Sequence, residues 1–321
     1  MDFIPLDIFK EIFFFCDFRT KIRFRQISKF LYNNLHIIDF YYIEEKYLTK
    51  LTDDILINYK FIKYLNAHDN LKIKDVSWMK NLKELDASWN SGIDQSGIKG
   101  LDLIKFDTGY NKKIKDVSYM HNLKELDAHG YAGINQCGIK LLDLIKLNIS
   151  DNPKIKDISY MKNLKELDAS GAACGVDQFG INQMDLIKFH TWNNHKITDV
   201  SWMKHLKELN VFGYSGIDQT GIKELDLIKL NSWDNAKIKD VSWMKNLKEL
   251  NASGNSGIDQ FGIKGLNLIK LKTWNNSKIK DVSWMFNLKE LDASWNSGID
   301  QMGINGLNLF KLYAWKNPKI K

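Results

Sequence analysis

Cysteine is scarce in this sequence. Cys16, Cys137 and Cys174 are the only three among 321 residues, and their spacing suggests no pairing. This fits a reducing compartment and argues against a disulfide-capped extracellular repeat protein. No apolar run approaches the length of a membrane span. Asp2 and Asp7 near the start, and the short apolar run 12–16 closed by Asp17, give no expectation of a signal peptide. There is no glycine-rich loop followed by Lys-Ser/Thr to cradle a phosphate. The seven histidines are scattered, and although His190 and His195 are close, no cysteine or acidic cluster completes a metal site at usual spacing. No nucleophile stands beside a base in an identifiable pattern. The expectation is a protein without catalytic residues, cofactor or metal.

What the sequence has in abundance is repetition. The stretch 73–113 returns with little change through the rest of the chain, and Ile73, Ile114, Ile155, Ile197, Ile238, Ile279 and Ile320 mark one phase of it. The spacing is 41 residues, with a single step of 42. A period of this size signals an array of stacked units. Each repeat divides again: Leu82-x-x-Leu85-x-Ala87-x-x-Asn90 is followed by Leu103-x-x-Phe106-x-Thr108-x-x-Asn111. The result is thirteen turns of 20 to 22 residues, opening at Ile62 and then at a leucine each time.

This pattern resembles the leucine-rich repeat family, and its Ile-x-Asp-Val-Ser-x-Met-x-x-Leu half looks like the short-repeat, internalin-like class. The resemblance implies an α/β leucine-rich repeat solenoid, with a parallel sheet on the concave face and short 3-10 or helical turns on the convex face. Leu82, Leu85 and Ala87 and their copies point inward from a short strand. Ten of the thirteen turns carry Asn at the position of Asn90, where its amide is expected to bond backbone groups of neighbouring turns; Tyr131, Ala172 and Tyr214 replace it elsewhere. Stacked strands lie about 4.8 Å apart. The expectation on the outer side is a 3-10 turn at 75–79 and one short helical turn at 95–101, with their copies.

Stacking turns sequence positions into surface columns. Two residues after each opening position the series runs Glu84, Lys105, Glu125, Lys146, Glu166, Lys188 and so on to Lys311, alternating in sign. Such alternation gives favourable cross-strand pairs. The net charge of +7 is largely interleaved in this way and forms no basic stripe, which argues against nucleic acid as a partner. The sixth and fourth positions make the concave face acidic and small in its first half, and aromatic in its second. Trp192, Phe212, Trp233, Trp274 and Trp315 either cover the sheet or form a docking patch for a target protein. A further set, Trp78, Tyr119, Tyr160, Trp202, Trp243 and Trp284, falls on the outer side and is expected to pack between turns.

Residues 1–40 are not repeats. Ile4, Ile8, Ile12 and Phe15 recur at helical spacing, with Pro5 suited to a first helical turn. Asp17 and Thr20 break and restart the chain before a second apolar face of Phe24, Ile27 and Leu31, set among basic residues. The stretch resembles an F-box through Ile4-Pro5-Leu6-Asp7-Ile8, Ile12, Asp17 and Ile27-Ser28-Lys29. It departs in opening with Ile4 in place of Leu, and in carrying Phe30 and Leu31 where the family has Trp. The resemblance implies docking on a Skp-type adaptor through Ile4, Pro5, Ile8, Ile12, Phe15 and Ile27. The simpler alternative is a helical cap on the array. Residues 41–61 read as a packed connector with a degenerate first half-turn, and 62–321 as the solenoid.

Together these expectations describe a substrate-recognition subunit of an SCF-type cullin-RING ubiquitin ligase, cytoplasmic or alternatively nuclear in a eukaryotic cell and encoded by the host or by a virus of one. The alternative is a non-enzymatic leucine-rich scaffold whose N-terminal helices only cap it.

Overall fold

The computed structural model describes residues 5–321. Its basic element is a three-residue strand whose middle side chain is buried. Leu126 is buried between the half-exposed Glu125 and Asp127, and the middle residue is buried in every repeated strand except the last, where Leu312 is 41% exposed. The following Ala87, Ala128, Ala169, Ala252 or Ala293 is also buried, as are the opening leucines from Leu82 to Leu288. A small inward residue after a large one suits a turn of only about twenty residues, which has little interior to fill. The thirteen repeated turns supply thirteen strands, from Tyr64–Asn66 to Lys311–Tyr313.

The chain forms two compact units, Met1–Leu142 and Asp143–Lys321. In the N-terminal unit, β1 (Asp39–Phe40), β2 (Tyr64–Asn66), β3 (Glu84–Asp86), β4 (Lys105–Asp107) and β5 (Glu125–Asp127) pair in parallel and in chain order. In the C-terminal unit, β6 (Lys146–Asn148), β7 (Glu166–Asp168), β8 (Lys188–His190), β9 (Glu208–Asn210), β10 (Lys229–Asn231), β11 (Glu249–Asn251), β12 (Lys270–Lys272), β13 (Glu290–Asp292) and β14 (Lys311–Tyr313) do the same. Each unit is a parallel β-solenoid with the leucine-rich turn. Among the described residues the five α-helices all lie in the N-terminal unit: α1 (Leu6–Phe15), α2 (Phe18–Gln26), α3 (Lys29–Asn34), α4 (Glu45–Leu48) and α5 (Asp53–Leu56).

Outside the strands, two expectations need correction. The asparagine column divides by parity. Asn70, Asn111, Asn152, Asn194, Asn235, Asn276 and Asn317 are buried, whereas Asn90, Asn255 and Asn296 are exposed. In the buried set, Asn111 Nδ2 donates to the carbonyls of Ala87 at 2.7 Å and Ile93 at 3.1 Å. Asn235 does the same to Val211 and Ile217, both at 3.1 Å. Exposed Asn90 instead reaches a side chain, Asp69, at 2.9 Å. In its turns a buried serine follows, such as Ser91, Ser215, Ser256 or Ser297. The next glycine then passes so close to the preceding turn that a Cβ on Gly92 would lie 2.3 Å from the Ile73 carbonyl oxygen. A side-chain amide has no room there.

The outer turns also differ from expectation. Residues 75–79 make a single hydrogen-bonded turn, Met79 N to Val76 O at 2.9 Å, without becoming a helix. The 3-10 helices occur instead in copies of 95–101, at Cys137–Ile139, Phe179–Ile181, Thr220–Ile222, Phe261–Ile263 and Met302–Ile304. Four of the outer aromatics bond to the preceding turn, whereas the Trp78 indole donates within its own turn, to the Asp75 carbonyl at 3.2 Å. The indole N–H groups of Trp202, Trp243 and Trp284 donate to the carbonyls of Met184, Leu225 and Leu266 at 2.9, 3.0 and 3.1 Å. Tyr119 bonds the Ile98 carbonyl at 3.0 Å, and its burial, with Asp116 nearby, pushes its pKa up to about 12.

Candidate interaction surfaces

The N-terminal helices are set by short-range caps. Pro5 precedes the first turn of α1. Asp17 caps α2 by accepting the Thr20 N–H at 2.8 Å and its hydroxyl at 3.0 Å, and these bonds hold the Asp17 carboxyl below its ordinary pKa. Ser28 caps α3 by accepting the Leu31 N–H at 3.2 Å. Phe13 and Leu31 are buried, and Phe9 and Phe13 each meet Phe24 edge to face at 6.4 Å. Arg25, also buried, lies over the rings of Tyr32 and Tyr59 at 4.3 and 5.3 Å. Phe18 contacts Phe40 of β1 at 5.3 Å, so these helices also pack against the first strand.

The residues singled out for adaptor docking lie on the other side of this packing. Ile8, Ile12 and Phe15 are 47%, 46% and 86% exposed, and they follow one stripe of α1 at steps of four and three. Pro5 is exposed. Ile27 is 69% exposed and so parts company with Phe24 and Leu31, which turn inward. Ile4 lies outside the described residues. Phe14, which the sequence pattern did not single out, is exposed as well, and so is Phe30.

A second surface is the outward face of the sheet. In the C-terminal unit the five aromatic residues named above stack into a ladder. Trp192–Phe212, Phe212–Trp233 and Trp233–Trp274 have ring centroids 6.4, 4.9 and 5.9 Å apart. Trp295, which the column reading missed, completes it, meeting Trp274 at 6.1 Å and Trp315 at 5.1 Å. Trp315 is 62% exposed and the others are half-buried. Lys316 sits over the rings of Trp295 and Trp315 at 4.5 and 4.4 Å.

The N-terminal unit carries a ladder of its own, contrary to the expectation of a small, acidic surface there. His68, Trp89, Tyr110 and His129 follow one another at 6.2, 4.7 and 5.0 Å. Trp89, Tyr110 and Trp295 all sit one residue past the aromatic column, at φ of 57°, 59° and 59°. That left-handed turn swings the next side chain back over the sheet face, which a column counted in fixed steps does not show.

Charge on these faces is mostly paired. Lys188–Glu208, Lys229–Glu249 and Lys270–Glu290 lie at 2.8, 3.0 and 2.8 Å, and Lys311 joins Glu290 at 3.2 Å. His190 stands between Asp168 at 3.5 Å and Glu208 at 3.3 Å. Burial opposes its charging, but the two carboxylates outweigh burial and raise its pKa. In the N-terminal unit, Asp127 Oδ1 lies 2.6 Å from His129 Nδ1. Ligand-type atoms of Asp107, Asp127 and His129 fall within 4.8 Å of one another, a grouping that sequence spacing did not reveal. Burial and the charges of Asp127 and Asp86 push the Asp107 pKa up to about 7.

Among the described residues no helix is long and apolar enough to cross a membrane. No family model matches the chain, and no curated protein matches it. Among solved structures it is similar to an internalin, InlF, from Listeria monocytogenes, at 18% identity over 73% of this chain and 81% of the internalin, with a TM-score of 0.46.

Proposed function

We propose that this chain is a non-enzymatic binding scaffold that joins two proteins. Helices α1–α3 dock on a Skp-type adaptor of a cullin-RING ubiquitin ligase, and the sheet face around Trp192, Phe212, Trp233, Trp274 and Trp315 holds the target. The chain acts by placement, bringing the target to the ligase. The setting is the cytoplasm of a eukaryotic cell, with the chain encoded by the host or by a virus of one.

The observation that carries this reading is the stripe of Ile8, Ile12 and Phe15, exposed on a helix whose opposite side is already packed. Burying a side chain of this kind contributes about 1.5–3 kcal/mol. A folded segment that leaves three of them in one line on a single helix is suited to a partner. The positions coincide with those that the F-box resemblance assigns to the adaptor. A second reading, a cap, is favoured by the contact of Phe18 with Phe40 and by the pairing of β1 with β2.

The test is adaptor binding by a Pro5→Ala, Ile8→Asp double variant. Both side chains are exposed, so the reading predicts lost adaptor binding with the repeats still folded by circular dichroism. Unfolding of the repeats would favour the cap, and unchanged adaptor binding would remove the docking assignment.

A further inference from the structure

Arg25 of α2 is 8% exposed, and its guanidinium stays charged at every physiological pH. Among the described residues no carboxylate lies within ion-pair range of it. An arginine side chain has five N–H donors. One of them is used, from Nη2 to the Tyr32 carbonyl at 3.4 Å, a long hydrogen bond. Nε is buried and has no acceptor. The guanidinium carbon lies over the rings of Tyr32 and Tyr59 at 4.3 and 5.3 Å. That contact offsets part of the charge but supplies nothing to the N–H edge. A buried cation without a counter-ion is destabilising, and a buried donor without a partner calls for a cause.

The cause lies beside it. Arg25 borders a cavity of about 370 Å³. Tyr32 of α3, His36 just after that helix, and Tyr59, Lys60 and Phe61 beyond α5 line its walls, and no carboxylate does. Lys60 is a second cation. It is exposed, and among the described residues it has no carboxylate in ion-pair range. His36 lies against Phe61, with ring centroids 4.1 Å apart. Burial, and then the Arg25 charge, hold the His36 imidazole below its ordinary pKa. The standing charges of the cavity are therefore those of Arg25 and Lys60, both positive.

The complement of two cations is a dianion. A phosphate monoester carries about −1.5 to −2 charges at pH 7, whereas a carboxylate carries one. The guanidinium edge is shaped to meet phosphate oxygens in pairs. A phosphoryl group occupies only part of the cavity, and the rest is walled by flat rings that suit a flat apolar body.

We propose that this cavity binds a phosphate monoester carried on a flat apolar group. Arg25 and Lys60 hold the phosphoryl oxygens, and the body rests against the aromatic walls. A bound monoester ties α2 and α3 to the chain that follows α5, at the start of the solenoid. None of Ile8, Ile12 and Phe15 lines the cavity, so the site stands whether or not those residues dock on an adaptor.

The test is calorimetric titration of the full chain with phenyl phosphate, beside inorganic phosphate, benzoate and phenol. The proposal predicts a one-to-one complex with phenyl phosphate, at least about tenfold tighter than with any of the other three. Arg25→Lys keeps the charge but loses the fork, and weakens the complex by at least about tenfold. Because Arg25 is buried, a second variant is placed on the surface. Lys60→Glu weakens the complex by at least about tenfold and leaves the thermal midpoint of the unliganded chain unchanged. A folded wild type that takes up no phenyl phosphate overturns the proposal, and leaves Arg25 held by the tyrosines alone. Equal binding of inorganic phosphate, benzoate or phenol overturns it as well, as does wild-type affinity in Lys60→Glu. N-acetyl-phosphotyrosine amide and adenosine monophosphate tell a modified side chain from a nucleotide as the source. At least one of the two is predicted to bind as tightly as phenyl phosphate, and the failure of both overturns the assignment.

Discussion

Trp233 and Trp274, two turns apart in the chain, pack edge to face with ring centroids 5.9 Å apart and planes at 71°. Gly254 lies on the turn between them, with φ at 60°, and a Cβ there would fall 2.8 Å from Trp233 Nε1 and 2.1 Å from Asp234 Oδ1. The same glycine donates its N–H to the Trp274 carbonyl at 2.7 Å. Gly254→Ala therefore strains the backbone and pushes the ladder apart. The expected cost is about 1–3 kcal/mol, read by urea denaturation, with a reduced near-ultraviolet tryptophan signal. An unchanged midpoint and spectrum would show that the ladder does not depend on this close approach.

The asparagine column supplies a paired comparison within one unit. Asn235→Ala leaves the buried carbonyls of Val211 and Ile217 without their donor. Its expected cost is about 2–4 kcal/mol. Asn255→Ala, at the equivalent position of the following turn, removes an exposed side chain and is expected to stay within about 0.5 kcal/mol of wild type. Equal effects in denaturation would contradict the division by parity.

Asp107 stands in register with Asp86 and Asp127, and its pKa is pushed up to about 7. The unfolded carboxyl titrates near about 3.9. The folded state therefore holds this proton more tightly, so its contribution to stability is complete below about pH 4 and is lost as pH rises through about 7. The isosteric Asp107→Asn keeps an acceptor for the Gly109 N–H, which Asp107 now binds at 2.9 Å. It is expected to gain roughly 1–3 kcal/mol over wild type at pH 8 relative to pH 4. Denaturation at the two pH values checks this; parallel curves for the two proteins would contradict it.

The strands and their buried face are readable in the sequence because the pattern is redundant. Leu82, Leu85 and Ala87 predict their own burial, and twelve other turns repeat the statement. The alternation of Glu and Lys likewise predicts the pairs of Lys188 with Glu208 and Lys229 with Glu249. What escaped the reading depends on backbone direction over one or two residues. Asn90 and Asn111 share a position in the pattern, yet the close pass of Gly92 against Ile73 turns one of them out. Trp89, Tyr110 and Trp295 reach the ladders through left-handed residues that no hydrophobic period marks. The grouping of Asp107, Asp127 and His129 also depends on Gly109, where a Cβ would lie 2.1 Å from the His129 ring. On the helices, spacing alone placed Ile8, Ile12 and Phe15 on one stripe but could not say which stripe faces inward. Phe13 decides that by being buried.

The docking account depends most on α1. Removing residues 1–40 would also remove β1 and the buried Leu35, Ile37 and Phe40, so a deletion confounds docking with stability. The most direct measurement is calorimetric titration of the intact chain with a purified Skp-type adaptor, beside an Ile12→Asp, Phe15→Asp variant of equal thermal stability. The account predicts a one-to-one complex with the intact chain and none with the variant. A folded intact chain that gives no complex, or a variant that binds as well as wild type, would contradict it.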